Sequence, residues 1–254
     1  MNYIEEYYKW IIENPHKVNE KIRIMYSKLV DNLHKATTVS FYNELAEEEE
    51  THTYIFDEEK GKRPINFIEK YCRHSKGKWG GKPIELELWQ KAFIEALFGF
   101  VDNETGLRKY KKGLLFVGRK NGKSTIDSGL ALYMLTKDGE NGAEVYSVAT
   151  RKEQAKIVWE ESKHMVKKSP ALNKRTRCLI TGIFYDATES FYKALASESN
   201  NLDGLNAHFI IADEVHAWRD KNLLDVMYDS TSAREQPLLL ETSTMRHCKR
   251  ECFW

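Results

Sequence analysis

The chain has 254 residues, enough for one large domain or one domain with a smaller appendage at roughly 150 residues per domain. Hydrophobic residues make up 41% and charged residues 30%, with only 14 Gly and 5 Pro, which excludes collagen-like, low-complexity and wholly disordered chains. Lys and Arg number 39 against 38 Asp and Glu, so the net charge of +1 points to no partner, and any preference for nucleic acid has to reside in local patches.

The opening MNYIEEYYKW is acidic and aromatic, unlike a signal peptide, and no run of about 18 apolar residues occurs, so a cytoplasmic protein without a membrane span is expected. The four cysteines, Cys72, Cys178, Cys248 and Cys252, are too few and scattered for a disulfide framework and suit a reducing compartment. Apolar and aromatic residues at helical spacing (Tyr3, Tyr7, Ile11, then Ile22, Tyr26, Leu29) predict one or two helices, and the acidic run Glu47 to Glu50 predicts a solvated link. From Lys60 to Lys82 eight Lys/Arg stand against one Glu, with Tyr71 and Trp79 interleaved and Gly77, Gly80, Gly81 and Pro83 breaking regular structure. This is either a solvated loop beside a helix or a contact for a polyphosphate or a DNA backbone. Ile84 to Phe100 (IELELWQKAFIEALFGF) predicts a helix with Leu88, Ala92, Phe93, Ala96 and Leu97 on one face.

The pattern then changes. Gly113 to Val117 is a short apolar strand, GRKNGKS follows as a loop, and Thr125 to Leu135 is helical. Val145 to Ala149 predicts another strand, followed by a helix from about Lys152 to Lys168 that turns Ala155, Val158, Trp159, Ser162 and Met165 inward. Leu179 to Tyr185 and Ser190 to Ala196 predict a hairpin, His208 to Ala212 a buried strand, and Pro237 to Leu240 the approach to a last one. Alternation of this kind predicts a mostly parallel sheet with helices on both faces.

The residues that carry chemistry begin with Gly118-Arg119-Lys120-Asn121-Gly122-Lys123-Ser124. A loop turning from strand to helix aims backbone N–H groups and the positive end of the helix dipole at one concavity, where a phosphate can sit. Gly122 lets the backbone approach an anion, Lys123 reaches the β and γ phosphates, and the Ser124 hydroxyl holds Mg²⁺. The usual pattern carries its first glycine where Val117 stands; Gly118 makes this loop one residue tighter, and a basic surface turn is the competing reading. In HFIIADEVH four apolar residues run into Asp213 and Glu214, and the end of a parallel strand opens into the crevice where ligands bind. Asp213 suits the metal and Glu214 the polarisation of attacking water; alternatively the two acids merely end a strand and cap a helix. Gln90, after Trp89, can donate to and accept from adenine, although on sequence alone a solvent-facing helical glutamine is the stronger reading. Arg119 can stabilise charge on the γ-phosphate or be a surface arginine. Thr242, Ser243 and Thr244 can sense that phosphate through their hydroxyls, and such residues are also common at strand ends.

Five segments together, ELELWQKAFIEALFGF, VGRKNGKST, VYSVATRKEQAKIVWE, LDGLNAHFIIADEVHAW and LLLETST, resemble the large terminase subunit of tailed bacteriophages, the ATP-driven motor that packages DNA into procapsids. The resemblance spans about Tyr54 to Thr244. It implies an α/β P-loop NTPase of the additional-strand type, with a mostly parallel sheet flanked by helices and a helical N-terminal extension over residues 1–53. It implies ATP contacts from Trp89, Gln90, Gly118, Arg119, Lys120, Asn121, Gly122, Lys123, Ser124 and Thr125, and Mg²⁺ on Ser124 and Asp213. Glu214, Lys123 and Arg119 are then catalytic, and Thr242 to Thr244 couple hydrolysis to movement of double-stranded DNA. The implied partners are the phage portal, a small terminase subunit and further copies of the chain in a ring, in the cytoplasm of a bacterial host.

Three departures bear on this. Terminases of this kind carry a C-terminal nuclease, and with the chain stopping at Trp254 no nuclease activity is expected from it. The tail Met245 to Trp254 (MRHCKRECFW) is basic, lacks glycine and suggests an interrupted end; His247, Cys248 and Cys252 make a poor metal site without a fourth ligand. The arginine finger that a ring motor supplies in trans has no place that the sequence fixes, and Arg151 is a candidate only. Two other functions compete: a helicase-like ATPase, which would need a second motor domain, and a prophage remnant that binds nucleotide or partners without productive turnover.

Overall fold

The computed structural model describes residues 1–43, 48–196, 204–218 and 221–244. The tail with His247, Cys248 and Cys252, and Glu47 of the acidic run, lie outside the described residues. The chain divides into two compact units, residues 1–66 with 85–110, and residues 67–84 with 111–254. Residues 54–66 and 85–110 group with the N-terminal helices in this division.

In the first unit the helical spacing forms two helices. Helix α1 (Tyr3–Glu13) starts with a capping box in which the Glu5 N–H donates to Asn2 Oδ1 at 2.9 Å, and α2 (Glu20–Leu33) starts at Asn19, whose side chain accepts from the Ile22 N–H at 2.9 Å. Ile4, Ile11, Tyr26, Leu29 and Leu33 are buried from these helices. A strand pair comes next along the chain. Strand β1 (Thr37–Asn43) runs antiparallel to β2 (Glu48–Phe56), and β3 (Phe100–Asp102) adds on the other side of β2. Glu48 to Glu50 thus continue a strand opposite Asn43, Tyr42 and Phe41 instead of forming a solvated link. The reason is ladder hydrogen bonding supported by cross-strand hydroxyl pairs, Thr38 with Thr53 and Ser40 with Thr51, which outweighs the poor strand propensity of the acids.

Helix α3 (Glu58–Tyr71) takes up the first half of the basic stretch and runs from the first unit into the second. Its Lys62 pairs with Glu58 and its Arg63 with Glu59 at i,i+4 spacing, so part of that positive charge is already neutralised. Helix α4 (Leu88–Gly99) begins four residues later than the apolar pattern predicts. The Glu87 N–H donates to Gln90 Oε1 at 2.9 Å, a capping box that fixes the start. Glu95 of α4 reaches Ile4, whose N–H donates to Glu95 Oε2 at 2.9 Å.

The second unit is built on β4 (Lys112–Val117), β5 (Glu144–Ala149), β6 (Arg177–Cys178), β7 (Ile183–Tyr185), β8 (Ser190–Ala196), β9 (Ala207–Asp213) and β10 (Leu238–Thr244), ordered β4-β10-β9-β5-β8-β7-β6. The first five in that order are mutually parallel, and β7 runs antiparallel to both of its neighbours, β8 and β6. The expected hairpin exists between β7 and β8, but Leu179 and Ile180 are exposed in the turn before it. The helices are α5 (Lys123–Thr136), α6 (Lys152–Lys168), the single turn α7 (Pro170–Asn173) and α8 (Asn222–Asp229). Strand alternation divides the sheet: Tyr146, Val148, Ile210, Ala212 and Leu239 pack with Leu223, Leu224 and Met227 of α8. Residues of opposite parity meet α5 and α6, as where Ser147 Oγ donates to the Ala155 carbonyl and Thr242 meets Asp127. The five α6 residues expected to face inward are all buried. Among the described residues, no helix is long and apolar enough to cross a membrane.

Candidate active site

The turn between β4 and α5 is shaped by two backbone devices. Lys120 and Gly122 both adopt left-handed conformations, at φ 66° and 79°, which Gly122 accommodates without steric cost and Lys120 does not. The Asn121 amide donates to the Gly118 carbonyl at 3.1 Å, and a Cβ on residue 118 would lie 2.8 Å from that amide nitrogen. The glycine displaced by one position from the usual pattern therefore makes room for an asparagine clasp. Lys123, Ser124 and Thr125 occupy the first turn of a 14-residue helix, where N–H groups lack intrahelical partners and the dipole is positive.

An open cleft of about 420 Å³ lies over this turn. Gly118, Arg119, Lys120, Gly122, Lys123, Ser124 and Thr125 form one side, and Asp213, Glu214 and Thr244 at the ends of β9 and β10 form the other. Gln154 and Ile157 of α6 complete it. The Lys123 ammonium donates to Asp213 Oδ1 and to Glu214 Oε1, the latter at 2.8 Å. Asp213 also accepts from Gln154 Nε2 at 3.1 Å and from Thr242 Oγ1 at 3.1 Å. Glu214 Oε2 accepts from the Thr244 hydroxyl at 2.9 Å and its N–H at 3.3 Å, and lies 3.1 Å from His216 Nδ1. The backbone of Glu214 is left-handed at φ 52°, a strained conformation for a side chain of this size, and the Trp218 indole donates to the Asp213 carbonyl at 3.0 Å where the strand ends.

These contacts set the charges. Burial disfavours the Lys123 ammonium, but Asp213 and Glu214 more than offset it and hold its pKa above the ordinary value. Burial opposes ionisation of Glu214 too; Lys123 and the Thr244 donors outweigh it and keep the carboxyl below the usual range. Asp127, one turn after Lys123 in α5, is fully buried, and burial with the nearby Asp213 pushes its carboxyl well above the carboxylate range.

The structure thus gathers the loop residues, both acids and Thr244 around one cleft. Asn121 clasps the loop from an exposed position, and Thr242 and Ser243 are fully buried below the cleft. Arg151 is exposed at the head of α6. Trp89 and Gln90 belong to the first unit, where Trp89 is half-buried and Gln90 caps α4. Three residues passed over in the sequence join the cluster: Gln154 on Asp213, Asp127 on Thr242, and His216, whose Nδ1 lies 2.6 Å from Ser243 Oγ. Each contact spans at least 27 positions of chain, and only DEVH, with a histidine two residues beyond Glu214, offered a local hint.

A strand interposed between the phosphate-loop strand β4 and the acidic strand β9, here β10, defines the additional-strand class of P-loop α/β folds. The family model for the terminase large subunit, ATPase domain, matches residues 88–252. The large terminase subunit of enterobacteria phage HK97 is 31% identical over 190 residues, 73% of this chain and 36% of that protein, so the chain spans about a third of the length of this relative. The crystal structure of the HK97 bacteriophage large terminase matches with a TM-score of 0.63 at 30% identity, covering 72% of this chain and 37% of that one. The chain belongs to the family of terminase large subunit ATPase domains.

Proposed function

We propose that the chain is the ATP-hydrolysing motor domain of a phage terminase large subunit and drives double-stranded viral DNA into procapsids. The observation that carries this reading is the Lys123–Asp213–Glu214 cluster at the mouth of a cleft bounded by a strand-to-helix phosphate loop, in a chain of this family. Lys123 and the first-turn N–H groups of α5 would bind the β and γ phosphates of ATP. The Ser124 hydroxyl and the Asp213 carboxylate are hard oxygen donors that suit Mg²⁺, which when bound supplies charge neutralisation for the transferred phosphoryl group. Glu214, kept ionised by its neighbours, would orient water and accept its proton. Arg119, exposed beside Lys120 on the loop, would meet charge on the γ-phosphate.

Trp89 and Gln90 would serve adenine, the Gln90 side chain being oriented by the Glu87 N–H. Thr242, Ser243 and Thr244 would couple hydrolysis to DNA movement, because their side chains touch Asp213, His216 and Glu214 in turn. Residues 54–244 would act as the ATPase domain, with residues 1–53 as its extension. The exposed Lys76 and Lys78 would offer charge to the duplex backbone. Copies of the chain would form a homo-oligomeric ring on the portal, supplied with DNA by a small subunit in the host cytoplasm, with the exposed Arg151 as a candidate for a finger acting on the next copy. Steady-state ATP hydrolysis with Mg²⁺, with and without double-stranded DNA, tests the reading: turnover stimulated by DNA is expected, and no hydrolysis under either condition overturns it.

A further inference from the structure

Asp127 has no place in the roles above, yet it is a fully buried carboxyl in α5, between Ile126 and Ser128 and one turn before Leu130 and Ala131. Among the described residues its Oδ1 has no hydrogen-bond partner, and its Oδ2 lies 3.3 Å from Thr242 Oγ1. Burying a carboxyl in this way costs stability unless it is fully bonded, and an apolar side chain would pack there more cheaply. The buried carboxyl of Glu95 differs: it satisfies a helix N-terminus through the Ile4 N–H. Among the described residues Asp127 satisfies no backbone group by a comparable contact, so packing and capping do not account for it.

What Asp127 does touch is the coupling strand. Thr242 is pinned on both sides by parallel ladders, opposite Leu115 of β4 and Asp213 of β9, so its backbone has little freedom. The remaining freedom is the χ1 rotamer of a β-branched side chain, which decides whether hydroxyl or methyl faces Asp213. The hydroxyl stands between two carboxyls, 3.1 Å from Asp213 Oδ1 and 3.3 Å from Asp127 Oδ2. We propose that Asp127 is a positioning residue that holds the Thr242 hydroxyl on Asp213, linking the helix that begins at the phosphate loop to the coupling strand. This rests on the reading of the cleft as an ATP site. Through it, a displacement of α5 reaches Asp213 by way of β10.

The test uses the full chain with Asp127→Asn, Asp127→Leu, Thr242→Val and the Leu/Val double variant; Asp127→Ala replaces Leu if that variant does not fold. Asn retains a donor and an acceptor at the same reach, so its kcat is expected within about threefold of the parent. Leu removes the link: kcat falls about tenfold, KM changes less than about threefold, and the melting temperature without nucleotide stays level or rises because an incompletely bonded carboxyl is gone. The double variant is expected to be no worse than the worse single variant in kcat, and the changes in melting temperature are likewise non-additive. Additive effects in melting and turnover, an Asn variant as impaired as Leu, or a kcat loss that merely follows a drop in melting temperature overturns the proposal. If the parent chain hydrolyses no ATP, the functional reading fails and the melting cycle alone decides the Asp127–Thr242 link: non-additivity upholds it, additivity overturns it.

Discussion

Lys123, the first residue of α5, donates to Glu214 Oε1 at 2.8 Å across 91 positions of sequence, and to Asp213 as well. One ammonium therefore bridges the two carboxylates at the end of β9. Phosphate oxygens entering the cleft would compete with both acids for the same three N–H donors, which gives the pair a means of responding to nucleotide.

Replacing Lys123 by Ala leaves the loop N–H groups in place but removes the charge proposed to meet the phosphates. Loss of measurable ATP binding or hydrolysis is expected, read by nucleotide titration and turnover. Unchanged affinity and rate would remove the phosphate-loop assignment.

The Glu214→Gln variant keeps the shape and a hydrogen-bond acceptor for Thr244, so Mg-ATP binding should persist. Hydrolysis should fall roughly 10²-fold or more, because an amide does not accept the proton from water. Single-turnover kinetics separate binding from chemistry; a rate within about threefold of the parent would assign the base to another residue.

Glu95 provides a pH dependence away from the cleft. Burial pushes its carboxyl up to about 7, with the Ile4 N–H pulling in the opposite direction. Between the unfolded value near 4.5 and about 7 the native chain holds a proton that the unfolded chain has released, so stability falls as pH rises through that window. The slope is at most about 1.4 kcal/mol per pH unit. Glu95→Gln stays neutral and still offers an acceptor to Ile4, so its melting temperature should gain on the parent between pH 5 and pH 8. A difference that stays constant with pH would rule out this titration.

Lys76 and Lys78 are exposed on the loop after α3, where the ammonium of Lys78 lies 5.2 Å from the Trp79 ring. Neutralising each DNA phosphate changes the slope of log K against log salt by about −0.9, so four contacts would weaken binding on the order of 10²-fold from 50 to 200 mM salt. Reversing both charges should reduce affinity and salt slope for unrelated duplexes alike without changing ATP affinity. Strongly sequence-selective or salt-insensitive binding in the titration would count against a translocating surface.

Local chemistry made much of this protein legible in its sequence. Periodicity marked α1, α2, α5 and α6, apolar runs marked the parallel strands, and GRKNGKS and ADE stood out because a phosphate loop and a strand-end acid pair need those residue types in consecutive positions. Strands β1 and β2 were less legible, since their acidic residues suit a solvated link and only cross-strand pairing favours extension. The start of α4 depended on where the Gln90 side chain would turn. The partners within the cleft were decided by tertiary structure alone: interposing β10 between β4 and β9 brings Thr242 beside Asp213 and Asp127, and α6 brings Gln154 to the same carboxylate. Sequence spacing fixes neighbours along one helix face or strand, whereas these contacts join separate elements through sheet order and register, and burial there determines which carboxyls keep their charge.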